Sequence, residues 1–244
     1  PPPPSAAHLV PLQTGGAHPP LFLIHPAGGN VYCFRALAGL VGDERSLLAF
    51  RARGLKDDEA PLETIEDLAA FYLEAIRHRQ PSGPYLLGGS SMGGMVAWEI
   101  AHRLRAAGET VALVALFDTY GPGHLPPAPE GPPPAMPGVD LHGPRPADER
   151  ALLRVRHVLG VNARAMHAYR PPALDAPAVF LRASERRENE PDHPERAWID
   201  LAEDGLAVHV VPGGHTGMFE PPHVERLARQ LRRSLRLALD DLDD

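Results

Sequence analysis

Cysteine is nearly absent from this 244-residue chain: Cys33 stands alone. No internal disulfide framework is possible, and a reducing, cytoplasmic setting is expected. Cys33 lies in an apolar helical stretch, which reads as a buried structural thiol. No run approaches the ~20 apolar residues that a membrane span requires. The N-terminal end lacks the basic, apolar and small-residue succession of a secretory signal. Lysine is also scarce; Lys56 is the only one, and arginine carries the rest of the positive charge. The net charge of −7 argues against a general nucleic-acid or anionic-membrane binder. Histidines are scattered without a paired spacing such as His-x-x-x-His on a helix, so no metal site is indicated.

What the chain has in quantity is proline and glycine, placed between apolar runs. Seven prolines fall in the first 20 residues, and residues 1–20 read as an extended linker. With no initiator methionine ahead of it, this stretch is expected to continue from an upstream domain. Residues 21–244 read as one domain. Leu21–Ile24, Ser46–Phe50, Tyr85–Leu87, Val111–Phe117, Ala178–Ala183 and Val208–Val211 are short apolar runs of strand length. Helical periodicity separates them over Val31–Leu40, from Thr64 onward, from Met95 to Leu104, over Ala147–Tyr169 and after Pro222. Thr64 is placed to cap, with Asp67 three residues on, and Gly108 is placed to end the elbow helix. Strand and helix alternate without a repeat, which predicts an α/β fold with a doubly wound, mostly parallel sheet. Gly121–Pro146 is too rich in proline and glycine for regular structure, and residues 121–169 read as a short lid insertion over the site. Asp240–Asp244 reads as a solvated acidic tail.

The chain is organised around Tyr85-Leu86-Leu87-Gly88-Gly89-Ser90-Ser91-Met92-Gly93-Gly94, an apolar strand running into a glycine turn and then a helix. Gly-x-Ser-x-Gly in that setting is the nucleophile elbow of an α/β-hydrolase. Ser91 has glycine two residues before and two after, whereas Ser90 would need glycine at Met92, so Ser91 is the candidate nucleophile. Asp118 ends an interior strand, where ligands of open α/β sheets bind. His215 sits in a glycine loop past the last strand. The order Ser91, Asp118, His215 is that of a hydrolase triad. The loop after the first buried strand, His25-Pro26-Ala27-Gly28-Gly29-Asn30, is expected to supply one oxyanion N–H from Ala27, the other coming from Met92. Trp98 reads as core.

These stretches resemble the type I thioesterase domain that terminates nonribosomal peptide and polyketide synthases. The resemblance rests on LFLIHPAGGNVY (Leu21–Tyr32), FRARGL (Phe50–Leu55), YLLGGSSMGGMVAWEI (Tyr85–Ile100), LFDTY (Leu116–Tyr120), AYRP (Ala168–Pro171), LRASE (Leu181–Glu185) and VPGGHTGMFEPPHV (Val211–Val224). It implies a substrate acyl chain carried on the phosphopantetheine of an upstream acyl or peptidyl carrier protein, with no cofactor bound to the domain itself. Ser91 would take the chain, and water or an internal nucleophile would release it by hydrolysis or macrocyclisation. Stand-alone editing thioesterases keep the acid after a later strand, where this chain reads Arg182-Ala183-Ser184-Glu185; Glu185 or Asp192 would serve under that reading. A carboxylesterase or lipase with the same triad, and a binding module that keeps only the fold, are the other readings. Lids of the family commonly carry several helices, and this one is short. The N-terminus lacks the apolar helices by which polyketide-type relatives dimerise, which favours a monomer.

Overall fold

The apolar runs become seven strands among the described residues: β1 (Leu9–Gln13), β2 (His18–Ile24), β3 (Arg45–Phe50), β4 (Tyr85–Ser90), β5 (Val111–Phe117), β6 (Ala178–Ala183) and β7 (Leu206–Val211). The helices are α1 (Phe34–Val41), α2 (Ile65–Arg79), α3 (Met92–Ala106), α4 (Glu149–Ala168), α5 (Arg196–Ile199) and α6 (His223–Asp243). A computed structural model describes residues 1–41, 44–56, 59–121, 125, 149–188 and 190–243 of the chain. Most of the expected lid insertion, from residue 122 to 148 apart from Leu125, therefore lies outside the described residues.

One sheet holds all seven strands in the order β1-β3-β2-β4-β5-β6-β7. Every neighbouring pair is parallel except β1 with β3. This is the doubly wound, mostly parallel sheet of the α/β-hydrolase class. Successive side chains of a strand point to opposite faces, and the core divides accordingly. Phe22, Ile24, Phe50, Leu87, Val114, Leu116 and Phe180 join α2 and α3 on one face. Leu21, Leu23, Ala49, Leu86, Ala115, Phe117 and Leu181 join α1 and α6 on the other. Runs buried on both faces are why these strands read as continuous apolar segments rather than alternating ones. The chain reverses its direction of travel across the sheet at β2, flanked by β3 and β4, and the crevice of such a sheet lies at that switch point.

Local signals set the helix ends. Thr64 Oγ1 accepts from the Asp67 N–H at 3.0 Å to open α2. Gly108 takes φ +78° just past α3. Trp98 is fully buried in the core.

Two sequence expectations need correction. Residues 1–20 are not an extended linker: Pro4–His8 forms a 3-10 turn with buried Ser5 and His8, and β1 pairs with β3. Prolines mislead here because an edge strand tolerates them; Pro11 lies on β1, and Pro19-Pro20 sit where the β2–β3 register shifts between His18 and Leu21. The first helix starts at Phe34 rather than Val31. The acidic end is exposed over residues 240–242, as a solvated tail should be, and it continues α6 as far as Asp243.

The tightest packing lies where β4 turns into α3. A Cβ on Gly93 would fall 2.2 Å from the Ile24 carbonyl oxygen and 2.7 Å from that of His25. A Cβ on Gly89 would fall 2.1 Å from the Gly93 carbonyl. Both obstacles are backbone, which cannot rotate away. Gly93→Ala should therefore lower stability by about 3 kcal/mol or more, read as a shift in the urea-unfolding midpoint. Ala101→Gly, a helix-interior change on the same α3, should cost only about 1 kcal/mol from backbone freedom, plus the lost methyl burial.

Candidate active site

The rim of the sheet is built by one repeated device. The residue after a strand donates its N–H to a residue at the end of the neighbouring strand: Ser91 to Phe117 O at 3.0 Å, Asp118 to Leu181 O at 3.0 Å, and His25 to Phe50 O at 3.2 Å. Each bond carries the ladder one residue past the strand, so the next side chain emerges on the rim. Ser91 and Asp118 are also the two non-glycine residues with positive φ among those described, at 54° and 49°. Such conformations are strained and persist only where surrounding bonds over-determine them.

Ser91 is partly exposed at the elbow, whereas Ser90 is fully buried. Met92 begins α3, and the first N–H groups of a helix have no intrahelical acceptor. They carry the positive end of the helix dipole.

Asp118 is fully buried and His215 sits above it, the imidazole Nδ1 2.7 Å from Asp118 Oδ2. Three further donors converge on the same carboxylate. Arg186 Nη1 donates to Oδ2 at 2.9 Å and Nη2 to Oδ1 at 2.6 Å, and the Ala183 N–H donates to Oδ1 at 3.0 Å. Burial by itself would raise the pKa of this carboxyl. The bonds and charges of His215 and Arg186 outweigh it and hold the group below the usual carboxylate range. An ionised carboxylate only accepts, so the His215 Nδ1 carries hydrogen; in the neutral ring Nε2 then has a free lone pair. The Tyr120 ring lies against the imidazole, centroids 5.0 Å apart at 32°. Glu185 and Asp192, the alternative acids, are both exposed.

Ala27 lies in the loop after β2, beside the first turn of α3. Its peptide is held from an unexpected side. Fully buried His25 points Nδ1 at the Pro26 carbonyl at 2.8 Å, and the Gly29 N–H reaches the same oxygen at 2.8 Å. A carbonyl only accepts, so Nδ1 of His25 carries the hydrogen and Nε2 accepts from the Tyr72 hydroxyl at 2.8 Å. Burial keeps this ring neutral by lowering its pKa to about 4. Pro26 C=O and Ala27 N–H belong to one planar trans unit, so fixing the oxygen fixes the direction of the Ala27 N–H.

Sequence reading missed three contributors. Arg186 opens a charged loop that looks solvated, and only the fold shows its guanidinium turned inward. The ring of His25 belonged to a recognised loop without a role of its own. Asn162 interrupts the apolar face of α4, a signal that was present in the periodicity, and it is 1% exposed. Among the described residues, no group of three or more His, Cys, Asp or Glu is placed to hold a metal ion. Nor is any helix among them long and apolar enough to cross a membrane.

A protein-family model described as Thioesterase domain matches residues 19–235. A dimodular nonribosomal peptide synthase of Bacillus subtilis is 42% identical over 124 residues, covering 51% of this chain and 5% of that protein. The nonribosomal peptide synthetase btyA of Aspergillus terreus is 48% identical over 101 residues, covering 41% of this chain and 11% of that protein. The chain thus spans a small part of the curated relatives it matches. Among solved structures, the NocB thioesterase domain in covalent complex with a fluorophosphonate nocardicin G analogue superposes with a TM-score of 0.79. It is 27% identical, over 93% of this chain and 99% of that one. The four-domain nonribosomal peptide synthetase AB3403 matches with a TM-score of 0.80 and 25% identity, over 93% of this chain and 20% of that one.

The Asp118 clamp carries a stability prediction with a pH sign. A carboxyl whose folded pKa is depressed adds stability that is complete above its unfolded value and is lost as pH falls through the folded one. Arg186→Leu strips the buried carboxylate of its bidentate partner. It should cost about 3 kcal/mol near neutral pH and move the acid-unfolding midpoint upward. Urea unfolding between pH 3 and 7 measures both, and the gap between wild type and variant should narrow towards the acid end.

Proposed function

Because this chain belongs to the thioesterase domain family, we propose that it releases a peptide or polyketide acyl chain from the phosphopantetheine thioester of a carrier protein. The observation that carries this reading is the pairing of His215 with the buried, ionised Asp118 at 2.7 Å, on the rim where the elbow presents Ser91. Ser91 follows β4, Asp118 follows β5 and His215 follows β7, and the matched relatives are peptide synthetases.

The free lone pair on His215 Nε2 takes the Ser91 proton as Oγ attacks the thioester carbonyl. The Asp118 carboxylate holds the tautomer and stabilises the imidazolium. Charge on the acyl oxygen develops against the N–H groups of Ala27 and Met92, each donor worth roughly 3–4 kcal/mol in the transition state. The C–S bond then breaks and the imidazolium returns the proton to the departing phosphopantetheine thiol, leaving acyl-Ser91. Water, or a nucleophile within the chain itself, attacks the ester with His215 again accepting the proton. The product is a free acid or a macrocycle, and Ser91 is regenerated. The partner is the upstream carrier protein, and the domain itself supplies every group in this scheme.

Arg186 gives Asp118 a particular character. Part of its charge is already neutralised by the guanidinium, so orientation of the imidazole is its larger contribution. An editing thioesterase with the acid after β6 would draw on Glu185 or Asp192, and both are exposed here.

The test is acyl transfer from a carrier-bound or cysteamine acyl thioester, followed by intact mass. Ser91→Ala should lose the acyl-enzyme adduct and roughly 10⁴-fold or more in kcat. Asp118→Asn should lower kcat by roughly 10²- to 10⁴-fold through the wrong tautomer, while Glu185→Gln and Asp192→Asn stay near wild type. Retained activity in Asp118→Asn together with loss in Glu185→Gln or Asp192→Asn would overturn the assignment of the acid. A preference for oxygen esters over the thioester would overturn the substrate class.

A further inference from the structure

Asn162 sits in the middle of α4, where asparagine is a poor helix former and a buried amide is costly unless bonded. Its side chain reaches 135 residues back along the sequence: Nδ2 donates to the Ala27 carbonyl at 2.8 Å. Residues at i, i+4 and i+8 share one helix face. Arg154 Nε bonds Leu55 O at 3.2 Å, and Val158 Cγ1 would be 3.1 Å from a Cβ on Gly29. With Asn162 these form one stripe of α4, laid along the 26–30 and 51–55 loops.

Ala27 lies between two planar peptide units. The unit before it, carrying the Ala27 N–H, is pinned through Pro26 O by His25 and the Gly29 N–H. The unit after it leads into Gly28-Gly29, where Gly29 at φ +85° closes the turn with its N–H on Pro26 O and its carbonyl on the Ala52 N–H. Asn162 holds that second unit by its oxygen. Without this bond, the 26–30 loop loses a tie to α4 and can shift as a body, carrying the Ala27 N–H out of alignment with the Met92 N–H.

We infer that Asn162 is a positioning residue for acyl transfer: by anchoring the Ala27 carbonyl, it keeps the Ala27 N–H aimed at the developing oxyanion and makes α4 a strut of that site. This rests on the reading of Ala27 as an oxyanion donor and Ser91 as the nucleophile. Asn162 touches neither substrate nor Ser91 in this role. The bond matters most when charge is on the acyl oxygen, so the loss belongs to kcat rather than to KM.

The experiment uses the full chain, hexanoyl-N-acetylcysteamine as substrate and a fluorophosphonate as a label for Ser91. Asn162→Ala should lower kcat by roughly 10- to 100-fold, the scale of a misplaced catalytic group, with KM within about twofold. Asn162→Asp provides a second, independent readout. Ionised, its carboxylate faces the Ala27 carbonyl without a hydrogen to donate; protonated, it donates as the amide does. The kcat of Asn162→Asp relative to wild type should therefore rise as pH falls, whereas the Asn162→Ala ratio should stay flat. A merely structural role predicts equal ratios at every pH for variants of equal melting temperature. Wild-type kcat in Asn162→Ala, or a pH-independent ratio in folded Asn162→Asp, would overturn the inference while wild-type labelling at Ser91 continues. Absence of Ser91 labelling in wild type would instead overturn the reading beneath it.

Discussion

The first turn of α3 presses against the end of β2 more closely than any side chain permits, and the rest of the site depends on that approach. Gly93 lies against the carbonyls of Ile24 and His25, and Gly89 against Gly93. A methyl group at either place meets backbone, so the contact exists only with glycine. Its result is that two loops from adjacent strands, the one after β2 and the one after β4, share a single crevice. Ser91 and its following N–H belong to one loop and Ala27 to the other. The oxyanion site proposed for Ala27 and Met92 needs this proximity before hydrogen bonding can refine it.

Strain and burial are distributed around that contact in a consistent way. Ser91 and Asp118 both hold positive φ at the ends of neighbouring strands, and each donates its N–H to the next strand. The ladder therefore over-determines the two residues whose side chains must project from the rim. Asp118 combines full burial with an ionised carboxylate, a combination that is unfavourable without partners. Arg186, His215 and the Ala183 N–H supply them. The His25 ring presents the complementary case, a titratable group kept neutral by burial with both nitrogens bonded. One group must be charged to orient His215, and the other must be neutral to accept from Tyr72 while holding Pro26.

Much of this was legible in the residue order because it depends on local patterns. The strand runs are apolar since parallel strands are covered on both faces, and β5 and β6 match their expected bounds residue for residue. The elbow announces itself through glycine spacing, and the loop His25–Asn30 through glycines directly after a strand. Local patterns misled at the N-terminus, where prolines compatible with an edge strand look the same as prolines of a linker. They also hid Arg186, because a charged loop residue reads the same whether its guanidinium faces water or a buried carboxylate.

By itself the amino-acid order determined where β2 to β7 and the longer helices would form, which serine stands at the turn, and which acid and histidine lie past strand ends. Those features follow from periodicity, turn chemistry and chain direction, each confined to a few neighbouring residues. Only the tertiary structure settled which carboxylate meets His215 Nδ1, that Arg186 closes over it, and that Asn162 of α4 reaches the Ala27 carbonyl. Those contacts join segments from 68 to 135 residues apart. Their strength comes from exclusion of water and from directions imposed by packed elements, and neither exists until the sheet has formed and been covered.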